Sequence, residues 1–210
     1  MTTPNKITIG RICLIPVFVM IALYYGRSVA HGAPIEWLRW TAVAVFVLAA
    51  ASDGVDGYIA RRYNQMSKLG VILDPIADKG LLLAGIITLS VSDWQYEFPI
   101  WFPVLVITRD IVIVGGVLAL HFLQCDARVR PSWMGKVATV AQMVAIGFVM
   151  LLTGNSWRTK VAGVEVMFLD LPVVIAGFCT LVSGIGYVRY GISALHSKGH
   201  GEAKSAREMD

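Results

Sequence analysis

Six apolar stretches, near 7–26, 37–61, 69–91, 99–122, 133–154 and 170–195, each approach or exceed the length a helix needs to cross a bilayer. At a rise of about 1.5 Å per residue, roughly 20 residues span the hydrocarbon. Inside lipid every backbone N–H and C=O must find its partner within the protein, so only helices and closed barrels cross. The stretches lack the alternation that barrel strands show, which leaves helices. The expected fold is therefore an all-α integral membrane protein with six transmembrane helices. Short polar or turn-rich segments connect them, at Arg27 to Glu36, Arg62 to Lys68, Ser92 to Glu97, Leu123 to Ser132 and Asn155 to Leu169, and none is long enough to separate two domains. One membrane domain is expected over 1–196, followed by a polar cytoplasmic tail over 197–210 that is rich in Gly, Lys and Glu and expected to be poorly ordered.

Composition agrees with a lipid-embedded chain. Hydrophobic residues make up 56% and charged residues only 15%, against about 25% charged in ordinary soluble chains. Cys13, Cys125 and Cys179 form an odd set with no CxxC spacing, so neither a disulfide framework nor a thiolate metal site is expected. The net charge of +4 does not point to nucleic acid, because the basic residues lie between apolar runs. Their distribution instead orients the chain. Lys6, Arg11, Arg61, Arg62, Lys68, Arg128, Arg130, Lys136, Lys198, Lys204 and Arg207 would share one side, with only Arg27, Arg39, Arg158 and Lys160 on the other. The positive-inside rule then puts both termini in the cytoplasm. Lys6 and Arg11 before an apolar run resemble a signal peptide, but the run is long for one, so a retained helix is expected. The membrane expected is the cell (inner) membrane of a bacterium.

Charged groups inside spans cost about 2.5–3.5 kcal/mol each on insertion scales, and they mark function by default. Here four carboxylates fall in two adjacent spans. The second span ends ASDGVDGYIARR and the third begins LGVILDPIADKG. Asp53 and Asp56 are three apart, and Asp74 and Asp78 are four apart, so each pair shares one helix face. The intervening connection is short enough to bring the two faces together at similar depth. Four such anions raise one another's pKa and need compensation, which divalent cations supply. A carboxylate set without His or Cys suits Mg²⁺, Mn²⁺ or Ca²⁺ rather than Zn²⁺. Two ions about 3.5–4 Å apart would form a clamp for displacement at phosphorus. The bland reading, separate salt bridges to Arg61, Arg109 or Lys79, leaves more acids than nearby bases. Gly57 permits close backbone approach, Arg61 one turn on offers a bidentate fork, and Ser67 and Gly70 lie on the connection side of the same pocket.

Asp53-x-x-Asp56-Gly57-x-x-Ala60-Arg61, eight residues, Gly70-x-x-x-Asp74-x-x-x-Asp78 matches every fixed position of a known signature. The chain thereby resembles the CDP-alcohol phosphatidyltransferase family. The resemblance implies a six-helix membrane fold, commonly a homodimer, with a site open to the cytoplasmic leaflet. It implies a reaction in which an acceptor alcohol attacks the diphosphate of CDP-diacylglycerol and CMP leaves. By motif position Asp53, Asp56 and Asp74 resemble the metal ligands. Asp78 resembles the general base that also touches the second metal, and Gly57, Arg61, Ser67 and Gly70 resemble nucleotide-contacting positions.

The acceptor rests on other residues. PNKITIGRICLIPVF, LDPIADK and PSWMGKVATVAQMVA resemble members whose acceptor is glycerol 3-phosphate. A phosphorylated acceptor needs cations, and Lys79, Arg109 and Lys136 are the candidates, with Arg11 and Arg189 in reserve. Arg109-Asp110 departs from the Arg-Glu common in those members and resembles members that use phosphatidylglycerol. Gly135-Lys136 resembles the first group. Outside enzymology, intramembrane carboxylates also mark ion pathways, so a transporter is the alternative of another class.

Overall fold

The computed structural model describes the backbone of residues 3–62, 68–122, 133–152, 158–161, 164–167 and 170–207, and the side chains of 7–52, 73, 76–119, 122, 133–152 and 170–193. Among the described residues there are six helices: α1 (Thr3–Ala30), α2 (Glu36–Arg62), α3 (Lys68–Val91), α4 (Trp101–Phe122), α5 (Trp133–Leu151) and α6 (Asp170–Arg207). Four of them, α1, α4, α5 and α6, contain stretches long and apolar enough to cross a membrane among the described residues.

Two expectations change. The segment before α6 holds an antiparallel hairpin, β1 (Arg158–Val161) and β2 (Val164–Met167), with Arg158 opposite Met167 and Val161 opposite Val164. The β-branched Thr159, Val161, Val164 and Val166 suit strands better than an irregular connection. The tail also differs from the poorly ordered segment expected, for α6 continues through Arg207. Extending a formed helix by one residue adds a hydrogen bond without a new nucleation cost, and Ala194, Lys198, Glu202, Ala203, Lys204 and Ala206 are good helix formers.

The helices bury a narrow seam and turn large apolar side chains outward. On α1 the buried positions include Thr8, Arg11, Phe18, Ala22 and Tyr25; on α5 they include Gly135, Ala138, Gln142, Ala145 and Val149; on α6 they include Val173, Ala176, Thr180 and Ser183. These steps of three and four residues are the spacing of left-handed helix packing. The opposite face of α6 exposes Val174, Phe178, Leu181 and Ile185, each at least half exposed, and α4 likewise exposes Ile111, Val114 and Leu118. Polar seams with apolar exteriors suit lipid rather than water. The chain is a membrane protein.

The described structure comprises two compact units, the first built from residues 1–103 and 143–171, the second from 104–142 and 172–210. In the first, α1 packs against both α2 and α3. The tilted rings of Phe18 and Phe46 meet at 5.5 Å, and the missing side chain of Gly85 admits Ile146 and Phe46, since a Cβ there would lie 3.1 Å from Ile146 Cδ1. The stretch after α3 was expected to be a polar turn. Its alternation instead buries Trp94, Tyr96 and Phe98 while Asp93, Gln95 and Glu97 face out. Trp94 Nε1 donates to the Ala22 carbonyl at 3.0 Å, its ring meets Tyr25 at 4.6 Å, and Phe98 N donates to the Leu89 carbonyl. The segment is an aromatic cap across the ends of α1 and α3.

Tyr96 fastens that cap by donating from its hydroxyl to Asp170 Oδ1 at 2.7 Å. Burial, then the hydrogen bond to Asp170 and its charge, push the phenol pKa well above 10. A phenol whose pKa is raised on folding stabilises the native state fully below its unfolded value near 10, and that contribution falls as pH rises beyond it. Tyr96→Phe is expected to lose about 1 kcal/mol at neutral pH and to show a shallower fall in melting temperature above about pH 10 than the parent. Thermal unfolding in detergent across pH 8–11 measures both.

Candidate active site

Among the described residues of the first unit, an ion pair lies within the seam. Arg11 follows Thr8 on the buried face of α1, and its side chain has 0% exposure. Its Nη1 donates to Asp78 Oδ1 on α3 at 2.8 Å, across 67 residues of sequence. The Asp78 side chain is 43% exposed although Arg11 holds one of its oxygens. A buried guanidinium without a counter-charge is strongly destabilising, so the pair is a condition of α1 packing here. The sequence placed Arg11 among reserve phosphate-binding cations; the structure commits it to Asp78. Lys79, next in sequence, is exposed.

The other signature positions follow by helical register. On α2 the buried residues Ala42, Phe46 and Ala49 advance by four and three, and the same steps along this continuous helix reach 53 and 56. On α3, stepping back from Leu89 through Gly85 and Leu82 reaches 78, and one further turn reaches 74. Helices α2 and α3 also pack against each other. The side chains of Asp53, Asp56, Gly57, Arg61, Gly70 and Asp74 lie outside the described residues, as does Ser67 altogether. Among the described residues no three potential ligands gather, as expected when Asp78 is the one member of the set described. The donor chemistry fits a hard divalent cation, being all carboxylate on two adjoining helices, with a buried arginine as the first compensating charge.

The second unit positions Arg109. Its guanidinium has 11% side-chain exposure, donates from Nη1 to Asp110 Oδ1 at 2.8 Å and from Nη2 to Ser183 Oγ at 3.0 Å. Gly135 of α5 lies against the same nitrogen, where a Cβ would come within 3.1 Å of Nη2, 3.5 Å of Tyr187 Oη and 3.6 Å of Ser183 Oγ. Lys136 follows directly and is exposed. The structure thus brings the start of α5, with Lys136, to Arg109, while Lys79 belongs to the first unit. Arg189 is exposed on α6. One turn toward the start of α6, Gln142 Nε2 donates to Thr180 Oγ1 at 2.7 Å, and Thr180 donates onward to the Ala176 carbonyl. Sequence reasoning missed Ser183 as a partner of Arg109. The signal was available in the steps from Ala176 to Thr180 to Ser183, which put two hydroxyls on the buried stripe of α6.

Comparison with known proteins places this geometry. The family model for CDP-alcohol phosphatidyltransferase matches residues 1–181. A Bacillus subtilis (strain 168) protein named CDP-diacylglycerol--glycerol-3-phosphate 3-phosphatidyltransferase is 34% identical over 195 residues, covering 91% of this chain and 96% of its own. An Escherichia coli (strain K12) protein of the same name is 33% identical over 186 residues, covering 88% and 92%. A Blochmanniella floridana protein, again of that name, is 31% identical over 191 residues, covering 88% and 91%. With a family model spanning most of its length and relatives matched nearly end to end, this chain belongs to the CDP-alcohol phosphatidyltransferase family.

Proposed function

We propose that the chain transfers the phosphatidyl group of CDP-diacylglycerol to glycerol 3-phosphate and releases CMP, a step of phospholipid biosynthesis. The observation that carries this reading is the unbroken aspartate signature in a chain matched over about nine-tenths of its length by relatives bearing that activity in their names. The six helices cross the membrane with both termini in the cytoplasm, and the site opens to the cytoplasmic face. Trp37 and Trp40 at the start of α2 and Trp101 at the start of α4 are exposed, as residues at a bilayer interface are, and Arg39 lies 4.9 Å from the Trp40 ring.

The acceptor hydroxyl attacks the phosphatidyl phosphorus, a new P–O bond forms, and the bond to the oxygen bridging to the cytidylyl phosphate breaks as CMP departs. An alcohol is a poor nucleophile at neutral pH, so Asp78 accepts its proton as the bond forms. Arg61 steadies the diphosphate, while Gly57, Ser67 and Gly70 shape the nucleotide pocket. Two divalent ions, Mg²⁺ or Mn²⁺, held by Asp53, Asp56, Asp74 and Asp78 would neutralise charge on the diphosphate and on departing CMP. Lys79, Arg109 and Lys136 bind the acceptor's phosphate. In that role Arg109 is held in place by Asp110 and Ser183 before substrate arrives, which limits the entropy lost on binding.

Purified protein with Mg²⁺ or Mn²⁺ is expected to release CMP from CDP-diacylglycerol only when an acceptor is present. A parallel panel of glycerol 3-phosphate, phosphatidylglycerol, inositol 1-phosphate, inositol and serine identifies the acceptor, and a preference for any but the first overturns this assignment. Asp78→Asn is expected to lower kcat by about 10²–10⁴-fold, the usual worth of a positioned base. Gly135→Ala crowds Arg109 Nη2 and is expected to raise KM for glycerol 3-phosphate by roughly three- to tenfold with KM for CDP-diacylglycerol unchanged. Steady-state kinetics in mixed micelles read both variants.

A further inference from the structure

Arg11 stands outside the aspartate signature, yet it touches the residue on which the chemistry depends. Its side chain is fully buried, lies on the same seam as Thr8 and Phe18, and delivers Nη1 to one oxygen of Asp78 at 2.8 Å. Asp78 keeps 43% of its side chain exposed while Arg11 holds one of its oxygens. Asp78 is also the acid for which two roles compete, metal ligand and proton acceptor. A carboxylate that rotates about its last torsion can swing both oxygens onto a cation and present no basic edge to an alcohol. One oxygen held by a guanidinium stops that rotation, because the planar fork has a fixed direction that a point charge lacks.

We propose that Arg11 is a positioning residue. By holding Oδ1 of Asp78 it fixes the carboxylate plane and keeps Asp78 aimed at the acceptor hydroxyl rather than collapsed onto the cations. Gly80, two residues beyond on α3, leaves room for α1 beside this contact, since a Cβ there would crowd Ile15 Cδ1 at 3.2 Å, and Ile15 lies one turn past Arg11. The role rests on the phosphatidyl-transfer reading above, in which Asp78 is the base.

The test uses full-length protein in detergent, with Arg11→Gln and Arg11→Lys compared with the parent for kcat, both KM values and Mn²⁺ affinity followed by electron paramagnetic resonance. For Arg11→Gln the expected result is a fall in kcat of about 10- to 100-fold, both KM values within about threefold, and Mn²⁺ bound as tightly as in the parent or more tightly, because a positive charge beside the carboxylates has gone. Arg11→Lys keeps the charge without the fork, and its kcat is expected to lie between the two. If Arg11→Gln does not fold, the lysine variant decides alone, with an intermediate kcat supporting the role. Parental kcat in either variant overturns it. So does weakened Mn²⁺ binding, which marks a general collapse of the site, or a rise of more than about tenfold in KM for glycerol 3-phosphate with kcat kept, which marks Arg11 as an acceptor anchor. Failure of the parent to release CMP is a different result and refutes the phosphatidyl-transfer reading itself.

Discussion

A charge within an apolar helix is stable only beside its opposite, and in this protein that condition is met by Arg11 and Asp78. The pair ties α1 to α3 near the signature and accounts for a fully buried guanidinium on a helix otherwise lined by Phe18, Ala22 and Tyr25. Desolvation makes such pairs weak contributors to stability relative to an apolar replacement, yet breaking one partner alone is strongly destabilising. A residue kept under those terms is better explained by what it orients than by what it stabilises.

The same economy of polar groups recurs on every seam. Gln142 meets Thr180, Arg109 meets Asp110 and Ser183, Tyr96 meets Asp170, and Trp94 meets the Ala22 carbonyl. Each is a polar atom matched within the protein where water is scarce. Small residues make the matches possible. Gly135 and Gly85 leave room for Arg109 and Ile146, and neither requires unusual backbone angles; their function is close approach.

Much of this was legible before any coordinates. Apolar runs of bilayer length fixed the number of helices, and their expected limits fall within a few residues of the observed ones everywhere except the N-terminus and tail of the chain, where α1 and α6 extend further. The spacing of Asp53, Asp56, Asp74 and Asp78 was a statement about helix faces, and α2 and α3 run as continuous helices through those positions. What escaped was tertiary. Arg11 read as one more cation near a cytoplasmic end, because a contact spanning 67 residues leaves no local trace. The segment Asp93 to Phe98 read as a polar turn because the count of polar residues masked their alternation, and alternation is what buries Trp94, Tyr96 and Phe98.

That aromatic cap bears on permeability. Asp78 lies thirteen residues before the end of α3, about 20 Å along a helix. Between it and the cap the first unit is filled by Phe18, Phe46, Leu82, Ile86 and Leu89, and Trp94 closes the end with its indole N–H already bonded. Among the described residues these side chains are apolar, and the buried Ser92 nearby donates its hydroxyl to the Thr88 carbonyl of α3. That packing offers a hydrated ion few polar partners past Asp78 among the described residues.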